Sequence, residues 1–584
     1  MTKNDFNAFF SKFLEKHPYF SIWITLAILY LLICSIRIWY SLAFAGPQSL
    51  GDATAYDFIA RSIVDGTFIS AGAYANTYPP GYPFLLSISY LFGPDKIIIY
   101  HAQLALNALV AGLILFPAYW FLRDWCTQEV ALAGSVIIAT LPSISRTTGL
   151  IMSESLFIPL IFFTLYLIYM AFKTEKQYIA LIAGFLCFYA FFTRSTGIAM
   201  LMALVCGLIW YCYLNQKISG SYIKSLRKQW GLLAGSFIPF GLWEVLLIGT
   251  GKPAIGYDQD TIVTTYVSNI GTEFVAYLKV ILFQVDYVIL VSYSIGVILA
   301  IYAIYLILRG DITSVLKQSE EESKEKERAL KGVVGVAVPL LAFLALTPIP
   351  LTTAVQPYMY GRFYDPLIPI LFLFATLGVQ YLISKKSIPR SHAYSILGTS
   401  IIAAVFVVLT LQWNPHFDIL QNAALPYLYL LPPFLGIGII ILLFGIILPI
   451  FLLAGIKHVQ VMRSFFLLIL AMNIIISIPM IQTEIQFSNN FDNIGVIGKV
   501  IHHNIDPDAV IIWDNSSMEP PWNVIFYDLI DYWIENDLRS VNVANIALSG
   551  DYSALEGGDY IITMLEGSTE PIYISPSGLS LYYL

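Results

Sequence analysis

Four arginines interrupt apolar stretches of this sequence and are the side chains best suited to bind an anion. They are Arg37, Arg146, Arg194 and Arg362. A charge next to hydrocarbon is costly unless it has a partner or a task, and the planar guanidinium matches the oxygens of phosphates and carboxylates. Each arginine taken alone could equally reach lipid headgroups or pair with an acidic neighbour. As a set they favour an anionic substrate.

Two carboxylates, Asp52 and Glu154, are placed where they could act on such a substrate. Asp52 precedes a helical pattern over 53–64, so it is either a helix N-cap or a carboxylate that takes a proton from an attacking hydroxyl, and the two roles can coexist. Glu154 begins an apolar run, where an acidic side chain also complements the helix dipole. Asp57 and Asp65 suit the chemistry less well, because they lie further into the helix and at its exposed end.

A proline-rich motif, Tyr78-Pro-Pro-Gly-Tyr-Pro83, follows the Asp52 helix. Its prolines restrict the chain just before an apolar stretch, which predicts rigid docking of the loop onto the membrane. Alternatively, the rings of Tyr78 and Tyr82 line a sugar site. The seven histidines have no ligand spacing, no C-x-x-C is present, and no nucleotide-binding motif appears, so we predict neither a metal nor a cofactor.

Composition sets the solvent in which these residues must work. Of 584 residues, 58% are hydrophobic and only 12% are charged, which leaves too little polar surface for several soluble domains. Apolar runs of spanning length recur from Phe20 nearly to Met480. They lack the alternation of a barrel, so the fold class is an all-α polytopic membrane protein.

Basic patches along the chain predict the topology, because Lys/Arg-rich connections stay in the cytoplasm. Their alternation fits about thirteen transmembrane helices, with the N-terminus cytoplasmic and the C-terminus extracytoplasmic. We expect the protein in the plasma (inner) membrane. It also places the four arginines on the outer half. The predicted spans are 20–43, 97–121, 129–143, 152–172, 178–193, 197–214, 230–249, 287–308, 332–348, 364–382, 393–411, 427–453 and 464–481.

The end of the chain differs from the rest in charge and pattern. From Glu484 onward, fifteen Asp and Glu face two Lys and Arg, although the net charge of the whole chain is only −7. The remainder is therefore positive, as cytoplasmic basic loops require, so the excess is no evidence for nucleic acid. Short apolar runs at 509–513 and 559–563 predict strands, and 522–537 has a helical stripe. We divide the chain into a transmembrane domain, 1–482, with a long first outer loop, 45–96, and a small acidic α/β domain, 483–584.

Taken in order, several motifs resemble the GT-C glycosyltransferases. They are Asp52 with Tyr56 four residues on, Tyr78-Pro-Pro-Gly-Tyr-Pro83, Met152-Ser-Glu-Ser155, Arg194 and Tyr360-Gly-Arg-Phe-Tyr364. The chain is most similar to the branch that holds the dolichyl-phosphate-mannose protein mannosyltransferases and the aminoarabinose transferases. The resemblance covers most of the chain, including the plan of about thirteen helices with a soluble domain after them.

This resemblance implies transfer of a sugar from a polyprenyl-phosphate carrier to an acceptor on the outer side of the membrane. Asp52 would be the catalytic carboxylate, and arginines such as Arg194 and Arg362 would hold the carrier phosphate. The rest of the implied substrate site is Tyr56, Tyr78, Tyr82, Arg146, Glu154 and Tyr360. The acceptor is a glycan, a lipid or a protein. Ala53 follows Asp52 where protein mannosyltransferases usually have an Asp-Glu pair, so a protein acceptor is not supported.

Two other functions use many spans and outer arginines. A ligase or polymerase would move a whole lipid-linked oligosaccharide, and a flippase or transporter would move an anionic lipid without chemistry. Transporters usually contain internal repeats and helices broken at matching positions, and no clear repeat is visible here. The Asp52 loop and the Pro-Pro-Gly motif favour transfer of a single sugar.

Overall fold

The long apolar stretches form helices, because a backbone in lipid must satisfy its hydrogen bonds within the segment. The structure is a computed structural model. It describes residues 18–47, 52–67, 78–219, 221–249, 274–312, 320–347, 361–385, 390–411, 440–456, 458–506, 508–514, 516, 530, 532–534, 537–541, 558–563, 571–574 and 579–583. Within these ranges, nine helices are long and apolar enough to cross a membrane, or ten when one sharply bent pair is counted as a span.

The helices follow the predicted spans closely. In the first half they are Pro18–Ser41, Asp52–Val64, Gly81–Leu86, Lys96–Gly112, Leu115–Arg123, Gln128–Ala139, Pro142–Thr147, Glu154–Thr174, Gln177–Thr193, Ile198–Ser219, Tyr222–Arg227 and Trp230–Gly249. In the second half they are Phe274–Val291, Ile295–Arg309, Glu320–Leu346, Leu367–Lys385, Arg390–Leu411, Leu448–Gly455 and Val459–Asn504, with a π-helical turn at Ile440–Ile447. Short 3-10 helices lie at Ser87–Phe92, Ser195–Gly197 and Gly361–Phe363. The all-α membrane class is confirmed, and each of the thirteen predicted spans overlaps an apolar helix. For 129–143, 178–193 and 427–453 the described helix is shorter than a span, and residues 427–439 lie outside the described ranges.

One predicted span, 287–308, is wrong in detail. The helices on either side of residues 292–294 meet at an angle of 93°, and the backbone between them has positive φ at Tyr293 and Ser294. Positive φ is costly for residues with a Cβ, so neighbouring packing must hold this turn. Tyr293 is buried, and its hydroxyl donates to Asn473 at 2.5 Å.

The first long loop folds back onto the helix bundle. Its helix, Asp52–Val64 (the loop helix), buries Ala53, Tyr56 and Ala60 on one side, a spacing typical of an amphipathic helix. Farther along the loop, Gly81 packs against the end of helix Gln177–Thr193. A Cβ on Gly81 would lie 2.5 Å from the carbonyl oxygen of Phe192, so only glycine permits this approach.

The last long helix, Val459–Asn504 (the C-terminal helix), extends from the bundle into the acidic end of the chain. Its apolar part ends at Gln486, so the predicted domain boundary at 482/483 falls inside a continuous helix. A five-stranded sheet follows, in the order β2-β1-β3-β5-β4. The strands are β1 Val510–Asp514, β2 Asp537–Val541, β3 Tyr560–Thr563, β4 Tyr573–Ile574 and β5 Ser580–Tyr583.

The sheet confirms the predicted α/β character of this end of the chain. The central strand β1 pairs in parallel with β2 and β3, whereas β5 is antiparallel to β3 and β4. Strands β1 and β3 match the apolar runs at 509–513 and 559–563. Most of the predicted helical stripe at 522–537 lies outside the described residues.

Candidate active site

Two arginines and two carboxylates from four separate segments meet at the loop helix. Glu154 lies at the centre. Its Oε1 accepts a hydrogen bond from Arg362 Nε at 3.0 Å and forms an ion pair with Arg194 Nη1 at 2.8 Å. The other edge of Arg362 reaches Asp52, with Nη2 to Oδ2 at 2.5 Å. We call Asp52, Glu154, Arg194 and Arg362 the charge cluster. Its four charges cancel, so each ion has an opposite partner in a partly buried place, as burial requires.

Burial divides the charge cluster into a floor and a rim. The side chain of Glu154 is 2% exposed and that of Arg194 is 10% exposed, whereas Asp52 and Arg362 keep 19% and 17%. A substrate arriving from solvent therefore meets Asp52 and Arg362 first. Burial alone would lower the pKa of Arg362. The neighbouring carboxylates of Asp52 and Glu154 outweigh burial and raise this pKa above its usual range, so the arginine stays charged.

Three tyrosine rings, Tyr56, Tyr78 and Tyr82, pack together beside Asp52, and we call them the aromatic wall. Tyr78 donates from its hydroxyl to Asp52 Oδ1 at 2.7 Å. Tyr56 packs edge-on against both Tyr78 and Tyr82, with ring centroids 5.1 and 5.0 Å apart. Tyr82 is fully buried and donates to Asn107 at 3.0 Å, so it supports the aromatic wall from behind. Of these three hydroxyls, that of Tyr78 donates directly to a carboxylate of the charge cluster.

Arg146 belongs to a neighbouring group. Its Nε lies 3.3 Å from Glu484 Oε1, and its Nη1 lies 3.8 Å from Asp365 Oδ2. Asp365 also accepts a short hydrogen bond from Tyr287. Burial raises the pKa of Asp365 to about 7, against the opposing effect of Arg146. Arg146 therefore forms ion pairs with carboxylates other than Asp52 and Glu154, and Asp365 links it electrostatically to Glu154 and Arg362.

Arg37 contacts uncharged groups, and its buried Nη1 has no hydrogen-bond partner among the described residues. It is buried, and its Nη2 donates to the carbonyl of Ala139 at 2.6 Å. Tyr360 lies outside the described residues. The seven other predicted substrate-site residues lie within them. Tyr78 contacts Asp52 directly, and Glu154 contacts Arg362 directly. Arg194 pairs with Glu154, and Tyr56 and Arg194 share Ser153 as an acceptor.

Asp57, the rejected alternative to Asp52, is committed to structure. It is 2% exposed. Its Oδ2 lies 2.9 Å from Lys96 Nζ, and its Oδ1 accepts from Tyr90 and Gln103, each at 2.7 Å. Burial alone would raise the pKa of Asp57, but Lys96 and these donors hold it below the ordinary value. With three donors bound and almost no exposed surface, this carboxylate anchors the loop helix and is closed off from a substrate.

Two contacts of the charge cluster were missed in the sequence. Ser153 Oγ accepts from Tyr56 and from Arg194 Nη1, both at 3.1 Å, and so joins the aromatic wall to the charge cluster. The ring of Phe363 lies 5.7 Å from the guanidinium carbon of both Arg194 and Arg362, a distance typical of cation–π contacts. Both residues lie inside motifs that had been noted, so motif membership was the available signal.

Gly361 makes room for Arg362. A Cβ at position 361 would lie 2.1 Å from the ring of Tyr287, and Tyr287 is itself held by Asp365. We expect Gly361→Ala to cost about 1–3 kcal/mol, as overpacking usually does, and to lower the melting temperature. Gly398→Ala is the matched control, because its helix position has open space around the new Cβ and alanine favours helix. Equal melting temperatures for the two variants would contradict the packing argument.

Comparison with solved structures places the fold of the chain in a known architecture. The crystal structure of the aminoarabinose transferase ArnT from Cupriavidus metallidurans in the apo state aligns with a TM-score of 0.50 and 13% identity, covering 93% of each chain. The same protein bound to undecaprenyl phosphate aligns with a TM-score of 0.52 and 12% identity, covering 95% of this chain and 97% of that one. The chain has the GT-C fold.

The GT-C likeness is one of fold. No protein-family model and no curated protein sequence matches the chain. An oligosaccharyltransferase from Archaeoglobus fulgidus, tethered to an acceptor peptide, also aligns, with a TM-score of 0.40, 11% identity and coverage of 91% of this chain and 69% of that chain. Alignment along more than nine tenths of the chain confirms the GT-C fold that the motifs had suggested.

Proposed function

We propose that this protein is an integral-membrane glycosyltransferase that moves a sugar from a polyprenyl-phosphate carrier to a hydroxyl acceptor. The observation that carries the proposal is the charge cluster, in which a rim carboxylate and a rim arginine lie 2.5 Å apart and the carboxylate also accepts from Tyr78. Arginine suits the phosphate of the donor, the carboxylate suits a general base, and aromatic rings suit the faces of a sugar. The binding of undecaprenyl phosphate by ArnT, which shares the fold, supports this class of donor.

The reaction is a single displacement at the anomeric carbon. The acceptor oxygen forms a bond to that carbon while the bond to the phosphate oxygen breaks, and the electron pair of this bond stays on the carrier phosphate. The acceptor proton goes to Asp52. One displacement inverts the anomeric configuration. The phosphate gains a negative charge as it leaves, so Arg362, with Arg194 behind it, stabilises the transition state more than the bound donor.

The charge cluster has no net positive charge, which affects how the donor binds. Glu154 is buried between the two arginines, but Asp52 lies at the rim. An incoming phosphate therefore competes with Asp52 for Arg362 Nη2. Once displaced, Asp52 keeps its hydrogen bond from Tyr78 and becomes available to the acceptor. We propose that the donor binds first and the acceptor second.

The proposed direction of catalysis needs the loop helix and the C-terminal sheet on the extracytoplasmic side. The alternation of basic connections supports this orientation, with the N-terminus cytoplasmic. A reporter enzyme that is active only outside the cytoplasm, fused after Leu584, is expected to be active. A reporter placed in the basic stretch 217–228 should be silent. The reverse pattern would invert the topology.

The function is tested with purified protein and a radiolabelled polyprenyl-phosphate sugar. We expect label to enter a covalent product and the acceptor to gain the mass of one sugar. Addition of a preassembled block would indicate a ligase or polymerase. Movement of label across the bilayer of a proteoliposome without any product would indicate a flippase. A mass-spectrometric comparison of envelope glycolipids, glycans and glycoproteins with and without the protein supplies the acceptor.

A further inference from the structure

A buried chain of hydrogen bonds connects the C-terminal domain to the loop helix. The hydroxyl of Tyr532 donates to Gln103 Oε1 at 3.1 Å. Gln103 Nε2 donates in turn to Asp57 Oδ1 at 2.7 Å. Tyr532, Gln103 and Asp57 are each 2% exposed or less. Asp57 lies on the same helix as Asp52, so this series of hydrogen bonds ends on the helix that carries the proposed base.

The direction of this chain is determined by chemistry. An ionised carboxylate only accepts hydrogen bonds, so Gln103 must turn its NH2 group toward Asp57. Its carbonyl oxygen is then left for Tyr532, whose hydroxyl can donate. Each group is matched to the next, and reversal of the Gln103 amide would place oxygen against oxygen at the Asp57 end. A fully matched buried network fixes one arrangement of the elements that it joins.

The segment around Tyr532 also holds the beginning of the loop. Trp533 packs against Tyr100, with ring centroids 6.1 Å apart, and the Nζ of Lys499 lies 4.4 Å from the centre of the Trp533 ring. Lys499 donates to the carbonyl of Ala45 at 3.1 Å. Tyr532 and Trp533 share one buried cluster with Tyr56 and Tyr82. The C-terminal domain thus contacts the loop at Ala45, before the loop helix, and shares the buried cluster with Tyr56, within the loop helix.

We propose that Tyr532 and Gln103 are positioning residues through which the C-terminal domain holds the Asp52 helix in register with Arg362. The catalytic part of this inference rests on the proposed function; the mechanical part does not. A general base must lie within hydrogen-bond reach of the proton that it takes, and a misplacement of about 1 Å can cost about 10²-fold in rate. The domain acts on the reaction by placing Asp52, and Tyr532 touches no substrate.

The mechanical part is tested by hydrogen exchange on the full-length protein in lipid nanodiscs, which requires no turnover. Tyr532→Phe deletes one hydroxyl and keeps the ring. We expect amides of 53–64 to exchange about 3–10-fold faster, the effect of one hydrogen bond. Tyr582→Phe, the same deletion at a buried tyrosine of β5, should leave these amides unchanged. Gln103→Leu breaks the chain from the membrane side and serves if Tyr532→Phe does not accumulate as folded protein.

The catalytic part is tested in the transfer assay with the same variants. We expect kcat per bound donor to fall about 3–10-fold in Tyr532→Phe, with donor KM unchanged. The double variant should lose no more than Gln103→Leu alone, because Gln103→Leu already removes the bond from Tyr532. Unchanged exchange at 53–64 in both single variants overturns the inference. So does faster exchange with kcat per bound donor unchanged. If the wild-type protein transfers no sugar, the proposed function fails, while the exchange result still decides the mechanical coupling.

Discussion

Asp52→Asn is expected to slow sugar transfer by about 10²–10⁴-fold, the usual effect of losing a general base. The amide has nearly the shape of the carboxylate and caps a helix about as well, so the loop helix should remain folded. It cannot take the proton of the acceptor. Single-turnover transfer by purified protein at saturating donor measures the effect, with a melting curve recorded alongside.

The ion pair with Arg362 adds a second expectation for Asp52→Asn. A neutral amide competes less with phosphate for Arg362 Nη2, so the variant should bind the polyprenyl-phosphate sugar at least as tightly as the wild type. Slow transfer with tight donor binding would separate a base from a binding residue. Weaker donor binding would mean that Asp52 helps to hold the donor, and near-normal turnover would remove it from catalysis.

Asp57→Asn is the matched control, since it makes the same change on the same helix. It leaves Lys96 buried without its ionic partner, which typically costs about 3–5 kcal/mol, so the melting temperature should fall. Because the pKa of Asp57 is lowered on folding, its contribution is present above the ordinary pKa of Asp and is lost as pH falls through the folded value. The wild type should lose this part of its stability in acid, and Asp57→Asn should not.

Sequence patterns predicted the membrane architecture well because lipid imposes one simple rule. Any segment within it must be apolar and must close its own hydrogen bonds, so span and apolar run coincide. The break at Ser292–Ser294 was not predicted, because its residues lie within an apolar stretch. Its positive φ angles depend on tertiary packing such as that of Tyr293, which the sequence pattern does not record. Strands β1 and β3 were found from short apolar runs, but their parallel pairing required coordinates.

The candidate site was predicted as residues and not as contacts. Residue type and membrane position single out Asp52, Glu154, Arg194 and Arg362, because buried charges need a reason. Their pairing joins positions as far apart as 52 and 362, and a single sequence carries no record of such contacts. The same is true of Tyr532 and Gln103. Arg146 was grouped with the other arginines by residue type and predicted membrane position. Its carboxylate partners, Asp365 and Glu484, could only come from the fold.

Arg362→Ala is expected to reduce transfer by about 10- to 150-fold, which corresponds to the roughly 1.5–3 kcal/mol of a hydrogen bond to a charged group. The loss should be larger in kcat/KM than in donor affinity, because the carrier phosphate gains charge as the sugar leaves. Arg362→Lys keeps a positive charge but lacks the fork that spans Asp52 and Glu154, so we expect an intermediate rate. Initial rates over a range of donor concentrations give both constants.

The control for Arg362→Ala is Arg463→Ala, which removes an arginine whose exposed side chain pairs with Glu129 and should leave donor kinetics unchanged. Loss of Arg362 also releases Asp52 from its ion pair, which gives a test in the opposite direction. If Arg362 merely restrained the base, Arg362→Ala would transfer sugar faster than the wild type. If it only anchored the loop to lipid headgroups, a folded variant would keep normal donor kinetics. A slower reaction with a preserved melting temperature is the result that a phosphate-binding arginine requires.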